Sequence, residues 1–516
     1  MLLLKNKYFE LFLVFLFFLL LSGLVVFSNS KIFDFDSLYH FKHALLYRAE
    51  GITFSDFPWV QFSSINYFKS DLWYGFHLLL VPFSFFSDPF FGIRLSSVFF
   101  SAFLFSSFYF VLKSLRVKFP AFFTLLLFFS SGDFLFRSNM SRPHTLTLAL
   151  FALLLLFLSD KSFYKVFFVS FFVSFLHASL FWVSFLIFFI VFLVGIWREK
   201  KIYWLGGLSV FLGSSFGFLL RPNPFGSLKL VYIQIIDLFF AKQIGAPLKF
   251  GRELLPLTFS DVYFQFLPLF AVSSLVVFFF FKFFFGGDSL DKIKPVEKIV
   301  FLSSVFLSAI FFLLSFFVAR RSNDFFSVFI VISSALGFSF FFKENWRYYL
   351  KIAVFSLASL FLLVSAMRSV YVLSLFIKNS ESSDKFKEVS LWLKDNTKEG
   401  EIVFNSYWDN FPNLFFWNVH NYYIGGMDPI FQYVFNENLF WKNYFIAYRG
   451  EPFTCGSIRC TEEMIEDVYP VLKNDFRASY LVLEYRRSPN FIKNIENLPG
   501  FEKVFSTDKE VIYKIN

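Results

Sequence analysis

Acid and imidazole crowd into one short stretch of an otherwise apolar chain. "KIFDFDSLYHFKH", residues 31–43, carries Asp34, Asp36, His40 and His43. Asp56 follows in "FSDFPW", then Asp71 and His77. Further on, "SRPH" holds Arg142 and His144, "ARRSND" holds Arg320, Arg321 and Asp324, and "SYWDNFP" holds Trp408 and Asp409. A carboxylate can take the proton of an acceptor or ligate a hard cation. An arginine fork holds and neutralises a phosphate. Acid on one side and arginine on the other suits chemistry on a phosphate-borne group. On a helix over 37–50, His40 and His43 would lie about 60° apart and could share an edge. No histidine pair here has a specific metal-ligand spacing, and the apolar surroundings of His77 and His177 fit packed side chains. Plain readings stand beside these. Loop acids such as Asp34 and Asp56 are most often solvated, juxtamembrane arginines often anchor at headgroups, and Trp408 with Asp409 could serve domain packing.

These residues must be positioned by membrane helices. Of 516 residues, 57% are hydrophobic and 17% charged, and mean hydropathy is +0.60, which excludes an ordinary soluble domain. Apolar runs of about 17–25 residues recur along the chain, long enough to cross a bilayer. The 93 phenylalanines are read as compositional bias filling lipid-facing positions, not as an aromatic site. The net charge of +10 sits in short loops between apolar runs. That is an orientation signal and argues against a nucleic-acid partner.

Balancing apolar length against loop charge gives eleven spans. They fall at roughly 8–28, 89–112, 119–132, 143–158, two within 163–197, 202–220, 262–285, 299–318, 325–342 and 350–371. The 163–197 block is flanked by lysines at both ends, so it should turn near His177. Residues 72–86 read as a re-entrant or interfacial helix, and 221–260 as an outside loop. Lys5 and Lys7 place the N-terminus in the cytoplasm, and an odd span count places the tail outside. The membrane part is 1–377, with an outer loop at 29–87. The tail, 378–516, is richer in charge. Its "EIVFN" and "SYLVLEY" read as strands, "SSDKFKEVSLWLKDNT", "TEEMIEDVYPVLKNDF" and "PNFIKNIENL" as helices, and "GFEKVFSTDKEVIYKI" as a hairpin, making a small α/β domain. Cys455 and Cys460 suit a small loop-closing disulfide in an oxidising compartment. No internal repeat supports a transporter.

Taken together, these motifs resemble the glycosyltransferase-C (GT-C) superfamily, above all the oligosaccharyltransferase catalytic subunit and the protein O-mannosyltransferases. Asp34-x-Asp36 beyond the first span matches that subunit's acid-x-Asp motif, and "YRAEGITFSDFPW" its continuation. "FRSNMSRPHTLTLAL" takes the place of its second motif, with Arg137 and His144 but no acid. "SYWDNFPNLFF" keeps Trp408 and Asp409 of its Trp-Trp-Asp signature. The resemblance implies a polytopic α-helical GT-C-like enzyme with an extracytoplasmic α/β domain. It implies sugar transfer from a polyprenyl-phosphate or pyrophosphate donor to an acceptor glycan, lipid or protein outside the cytoplasm. Asp36 is then the general base or metal ligand, helped by Asp34. Arg142, His144, Arg320 and Arg321 are expected at the donor phosphate, and Asp56, Trp408 and Asp409 on the acceptor side. A divalent cation, magnesium or manganese, is compatible with Asp36, and so is a metal-independent reaction. The expected setting is a bacterial inner or plasma membrane. Two alternatives stay open: a surface-polysaccharide ligase or polymerase, relying on outer-loop arginines and a histidine, and a non-enzymatic transporter or scaffold.

Overall fold

The computed structural model describes residues 7–200, 203–285, 293–496 and 498–516. Lys5, Lys201 and residues 286–292, whose charges entered the balance of spans, lie outside the described residues. Two compact units interleave along the chain. The first comprises Met1–Phe33, Phe85–Leu220 and Gly251–Ser380, the second Asp34–Ser84, Arg221–Phe250 and Glu381–Asn516.

The first unit is helical and built for a bilayer. Across the described residues, seven helices are long and apolar enough to span a membrane, or up to nine if each of two bent pairs counts as one. The protein is an integral, multi-pass membrane protein. Each of the eleven expected spans coincides with helix, but several helices are short. Pro143–Ser159, Phe163–Leu176 and Trp204–Leu219 have 17, 14 and 16 residues, below the ~20 that cross a hydrocarbon core upright. The 163–197 block breaks at His177, between Phe163–Leu176 and a helix that runs through Phe181–Glu199. Conversely, Pro224–Gln243 of the second unit, expected as loop, is helix and passes the same length and hydropathy test.

Ser322–Lys343 is the central helix of the first unit, with 94% of its most apolar window buried. Tyr348–Asn379, at 11%, is the most exposed of the long apolar helices and presents its side chains for lipid. Phenylalanine does more than face lipid, contrary to the compositional reading. Phe105, Phe108, Phe123, Phe266, Phe279, Phe301 and Phe340 are fully buried. Pairs such as Phe301–Phe340, with ring centres 5.5 Å apart and nearly edge to face, knit the helices together.

One bend positions functional groups. Pro120–Phe128 and Gly132–Ser138 meet at 93°. Ser131 Oγ caps the second piece by accepting from Phe134 N at 3.1 Å. Gly132 has no alternative here, because a Cβ would come within 2.4 Å of the Val372 side chain. The bend brings Asp133 and Arg137 onto one short helix.

The second unit has a five-stranded mixed sheet flanked by helices, and a separate two-stranded ribbon, Phe453–Cys455 with Ile465–Asp467. The strands are β1 (Ile402–Asn405), β2 (Tyr422–Tyr423), β3 (Phe453–Cys455), β4 (Ile465–Asp467), β5 (Ala478–Glu484), β6 (Phe501–Ser506) and β7 (Glu510–Ile515). The sheet order is β2-β1-β5-β7-β6, with β1 parallel to β2 and β5, and β7 antiparallel to β5 and β6. Its core joins Phe404, Leu481, Leu483, Val511 and Tyr513 to Ile446, Phe476, Ile492 and Ile495. "TEEMIEDVYPVLKNDF", expected as one helix, instead gives β4, which pairs with β3, and then two short helical turns. Cys455 and Cys460 form a disulfide beside this ribbon.

The early loop joins this unit through backbone pairing. Tyr423 N donates to Trp59 O at 2.8 Å, and Gln61 N and Phe62 N donate to Tyr423 O and Ile424 O. Residues 59–62 thus extend the sheet at β2, whose edge would otherwise lie open. This is why Asp34–Ser84 groups with the tail.

Candidate functional site

In the second unit, Asp36 begins the Asp36–Glu50 helix. Asp34 sets that start. Its Oδ1 accepts from Asp36 N at 3.0 Å, and its Oδ2 accepts from Ser37 N at 3.2 Å and Ser37 Oγ at 2.8 Å. A carboxylate there also meets the positive end of the helix dipole. Asp56 lies in the loop beyond and pairs with Lys69 at 2.9 Å, with both side chains more than half exposed. Such a pair is worth little.

Behind Asp36, the same helix enters a buried knot. Asp71 Oδ2 accepts from Tyr47 OH at 2.7 Å and lies 2.6 Å from His77 Nδ1, while Oδ1 accepts from Trp73 N at 2.8 Å. His77 Nε2 lies 2.8 Å from His40 Nδ1. His43 stacks on His77, with ring centres 4.4 Å apart and planes within 10°, and on Phe57 on its other face. Neither His43 nitrogen has a hydrogen-bond partner. Tyr39 meets His40, His43 and His77 edge-on. Burial, with help from His77, pushes His43 down to about 3, so it is neutral in the fold. Burial pushes the Asp71 carboxyl up, but His77 by charge and hydrogen bond, then His43, outweigh it, and Asp71 is held well below the usual carboxylate range. Arg221 donates to Asp71 O at 2.9 Å, and burial lowers its guanidinium to about 10.

His43, Asp71 and His77 bring ligand atoms within 4.8 Å of one another, a set of the kind that could hold a divalent cation. The arrangement is that of a hydrogen-bonded chain instead. Two ligands of one tetrahedral ion, each about 2.0–2.1 Å from it, stand roughly 3.3 Å apart, whereas Asp71 and His77 are 2.6 Å apart. The stacked rings of His43 and His77 also aim their in-plane lone pairs past each other. Asp36 belongs to no group of three potential ligands among the described residues.

The tail supplies the third feature of this unit. Asp409 receives Arg487 NH1 on both oxygens, at 3.0 and 3.1 Å, and the Arg487 guanidinium lies 3.7 Å from the Tyr407 ring centre. Burial lowers the Arg487 pKa, but Asp409 and Glu484 raise it by more, so its charge is firmly held. Trp408 Nε1 donates to Lys249 O at 2.9 Å.

The first unit gathers the arginines. Arg142 precedes the Pro143–Ser159 helix, with His144 in its first turn. Arg137 Nε donates to Asp324 Oδ2 at 2.7 Å, and its NH1 pairs with Glu253. Arg142 NH1 meets the same carboxylate at 3.2 and 3.4 Å. Arg320 pairs with Asp261 and approaches Asp133 at 3.8 Å. Arg321 N donates to Glu253 O at 3.0 Å, and Arg320 N to Leu255 O at 2.8 Å, so the 253–257 strap is laced to the turn before Ser322–Lys343. His144 Nε2 is buried with no hydrogen-bond partner. Burial pushes the Glu253 carboxyl up, but Arg142, Arg137 and Arg321 overcome this and hold it well below the usual range.

The expected residues therefore fall into groups. Arg142 and His144 cluster with Arg137 near Glu253, and the backbone of Arg321 reaches the same strap. Arg320 engages a separate carboxylate pair. Asp34 and Asp36 share one helix start, Asp56 stands apart on the surface, and Trp408 and Asp409 lie together beyond β1. Sequence reasoning missed Glu253, Asp133 and Asp261 as counter-ions. It also left the Asp71–His77–His40 chain unassigned, although half of the six histidines lie between residues 40 and 77.

By sequence, no family model matches the chain, and no curated protein does. Solved structures do match its fold. The oligosaccharyltransferase of Archaeoglobus fulgidus in the apo form superposes with a TM-score of 0.58 at 12% identity, covering 99% of this chain and 75% of that one. ArnT from Cupriavidus metallidurans bound to undecaprenyl phosphate gives 0.55 at 12%, covering 97% of both chains. The same ArnT in the apo state gives 0.56 at 9%, covering 98% of both. The likeness is one of fold, and it runs the length of this chain.

Proposed function

We propose that this protein is a membrane glycosyltransferase. It moves a sugar from a polyprenyl-phosphate or pyrophosphate carrier to an acceptor on the extracytoplasmic face. The observation that carries this reading is the end-to-end likeness to two GT-C structures, one of them bound to undecaprenyl phosphate. In the reaction, an acceptor atom attacks the anomeric carbon, the sugar–oxygen bond to phosphate breaks, and the phosphate leaves with the electron pair. Asp36 takes the acceptor's proton. Arg137, Arg142 and His144 receive the phosphate, where Glu253 now neutralises the arginines. Arg320 and Arg321 hold the strap that carries Glu253. Asp34 keeps the Asp36 helix start in place, and Trp408, Asp409 and Asp56 shape the acceptor side. Every step named uses the chain's own groups.

A clustered histidine and arginines would also suit a polysaccharide ligase, so Asp36 separates the two readings. The test is transfer from synthetic polyprenyl-phosphate and pyrophosphate sugars by the purified protein, with Asp36→Asn beside the wild type. Transfer that Asp36→Asn abolishes supports the proposal. Transfer that it leaves at full rate favours the ligase reading, and failure to bind or use any polyprenyl-linked donor removes the proposal altogether.

A further inference from the structure

The helix Pro224–Gln243 carries apolar residues on the side that a soluble domain would keep polar. Phe225, Leu228, Tyr232, Ile236, Phe239 and Phe240 recur at steps of three and four, and all are exposed, Phe225 at 77% and Phe240 at 61%. Ile244 continues the row just past the helix end at 69%. The opposite face is buried and holds Gly226, Ser227, Leu230, Val231, Leu238 and Ala241. Gln234, Asp237 and Lys242 are half-buried, between the two faces. The exposed row presents roughly 700 Å² of apolar surface, more than the largest such patch on an ordinary soluble monomer.

The buried face is tied to the rest of its unit. Asn223 Oδ1 accepts from Gly226 N at 2.9 Å, and Asn223 Nδ2 donates to Phe68 O at 2.8 Å. Ser70 Oγ donates to Asn223 O at 2.9 Å and lies 2.6 Å from Ser227 Oγ. A Cβ at Gly226 would come within 2.5 Å of Phe68 O, so only glycine lets the helix lie this close. Further along, Ile233–Asp237 packs on Pro429–Phe435, a helix of the charged tail. Asp237, two-thirds of the way along the helix, has no counter-ion among the described residues. A span would hold that carboxylate in hydrocarbon, where a lone charge is costly, and would take the Pro429–Phe435 helix in with it.

We infer that Pro224–Gln243 is an interfacial helix. It lies along the bilayer surface, with its exposed row in the headgroup–acyl boundary and its buried face on the second unit. This does not depend on the reaction proposed above. The chain is an integral membrane protein, so a bilayer is the apolar phase at hand. Residues 220–223 alone connect the helix to the apolar helix Trp204–Leu219, and five extended steps of chain reach at most about 18 Å. The first turns also suit headgroups. Lys229 is exposed and forms no ion pair among the described residues. With Tyr67, Phe68, Phe225, Leu228 and Tyr232 it lines a cavity of about 570 Å³. An ammonium beside tyrosines and phenylalanines fits a lipid phosphate above its first acyl carbons. In this setting Asp237 and Lys242 reach water at the edge of the row.

Site-directed spin labels in the full chain test this. Both native cysteines are joined in a disulfide, so a single introduced cysteine takes the label alone. Phe225→Cys, Tyr232→Cys, Ile236→Cys and Phe240→Cys replace exposed side chains. Asp508→Cys, on the exposed turn between β6 and β7, is the water-facing control. The protein is placed in vesicles of phosphatidylcholine and phosphatidylglycerol, and depth is read from relaxation by oxygen against a water-soluble nickel chelate. The four row labels should favour oxygen and lie about 5–10 Å below the phosphates, within about one helical pitch (~5 Å) of one another, while the control favours nickel. An Ile236 label deeper than the Phe225 label by ~10 Å or more, as the helical rise would give a span, overturns the inference. So do row labels that favour nickel, which leave the face in water. Spin–spin broadening that vanishes on dilution with unlabelled protein would give the face to a second copy and overturns it too. Lys229→Glu should move the Phe225 label toward water in the mixed vesicles and not in phosphatidylcholine alone, and no movement would remove the headgroup contact.

Discussion

Glu253→Gln should tighten the binding of a polyprenyl phosphate. Glu253 bridges Arg137 and Arg142, the groups proposed above to receive the donor phosphate. On the proposed function, a donor must displace this carboxylate before it can use the arginines. At 3.2 Å from Arg142, a unit charge pair with an effective dielectric of about 20 attracts by roughly 5 kcal/mol. Rehydration of the released carboxylate offsets most of that. A charge-assisted hydrogen bond of this kind is worth about 1.5–3 kcal/mol net. Glutamine keeps the shape and one acceptor but not the charge, so most of this cost of displacement vanishes. The expected gain is about 10- to 100-fold in Kd. The assay is isothermal titration of a short-chain polyprenyl phosphate into the detergent-purified protein, with Arg142→Gln as the opposing control, expected to weaken binding at least 10-fold. The sign carries the test. If Glu253 only anchors the strap, its loss should lower Tm and weaken binding or leave it unchanged. Binding by Glu253→Gln no tighter than wild type would refute the displacement argument.

Further predictions concern Asp36, His43 and the Arg487–Asp409 pair. Asp36→Asn should reduce kcat by about 10²–10⁴-fold with donor Kd unchanged, measured by single-turnover transfer and titration; a large loss of donor affinity would make Asp36 a phosphate-site residue instead. His43 has a folded pKa near 3, below the ~6.5 of an unfolded histidine, so the unfolded state binds the extra proton first. The stability it contributes is complete above pH ~6.5 and is lost as pH falls toward 3, at up to about 1.4 kcal/mol per pH unit. His43→Phe, which keeps the stack on His77 and Phe57, should flatten the fall in Tm between pH 6.5 and 4, and an unchanged slope would place the acid sensitivity elsewhere. Arg487→Ala should destabilise the protein by roughly 1–2 kcal/mol through loss of the Tyr407 stack and two carboxylate partners. Asp409→Asn should cost under about 1 kcal/mol and raise acceptor KM several-fold; thermal melts and acceptor titrations check both.

Much of the membrane half could be read from hydropathy because backbone groups in a bilayer must be satisfied within each helix. The two-helix turn at His177 was legible from its flanking lysines. The length of each helix was not. The 93° break before Gly132 depends on a serine cap and on close approach to Val372, 240 residues away. Charge balance saw only one apolar run there. In the tail, β1, β5 and the closing hairpin stood where alternation placed them. Ile465–Asp467 became a strand against helical periodicity because Phe453–Cys455 offered it an antiparallel partner. The assignment of the early loop to the tail's unit depends on the pairing of residues 59–62 with Tyr423 and Ile424. No local pattern encodes such a pairing.

The site divides along the same line. Residue types could be read; partners could not. Arg142 and Glu253 are separated by 111 residues, and His40 and His77 by 37. Neither spacing has a helical or strand period that would announce contact. A different constraint was available. An apolar interior tolerates an ionisable group only when an opposite charge or a hydrogen bond meets it. Arg137, Arg142 and Arg320 should therefore have been expected to sit against carboxylates, and Glu253, Asp324, Asp261 and Asp133 provide them. The same constraint gives the unpartnered groups their meaning. His144 Nε2 is buried beside a pair of arginines already neutralised by Glu253, so it gains nothing from the resting arrangement. A phosphate that displaced Glu253 would offer that nitrogen an oxygen to bond, whereas the displaced carboxylate offers it none. His144→Phe should therefore leave resting stability nearly unchanged and weaken polyprenyl phosphate binding several-fold, and a loss of stability without a loss of affinity would show that the nitrogen belongs to the fold and not to the donor.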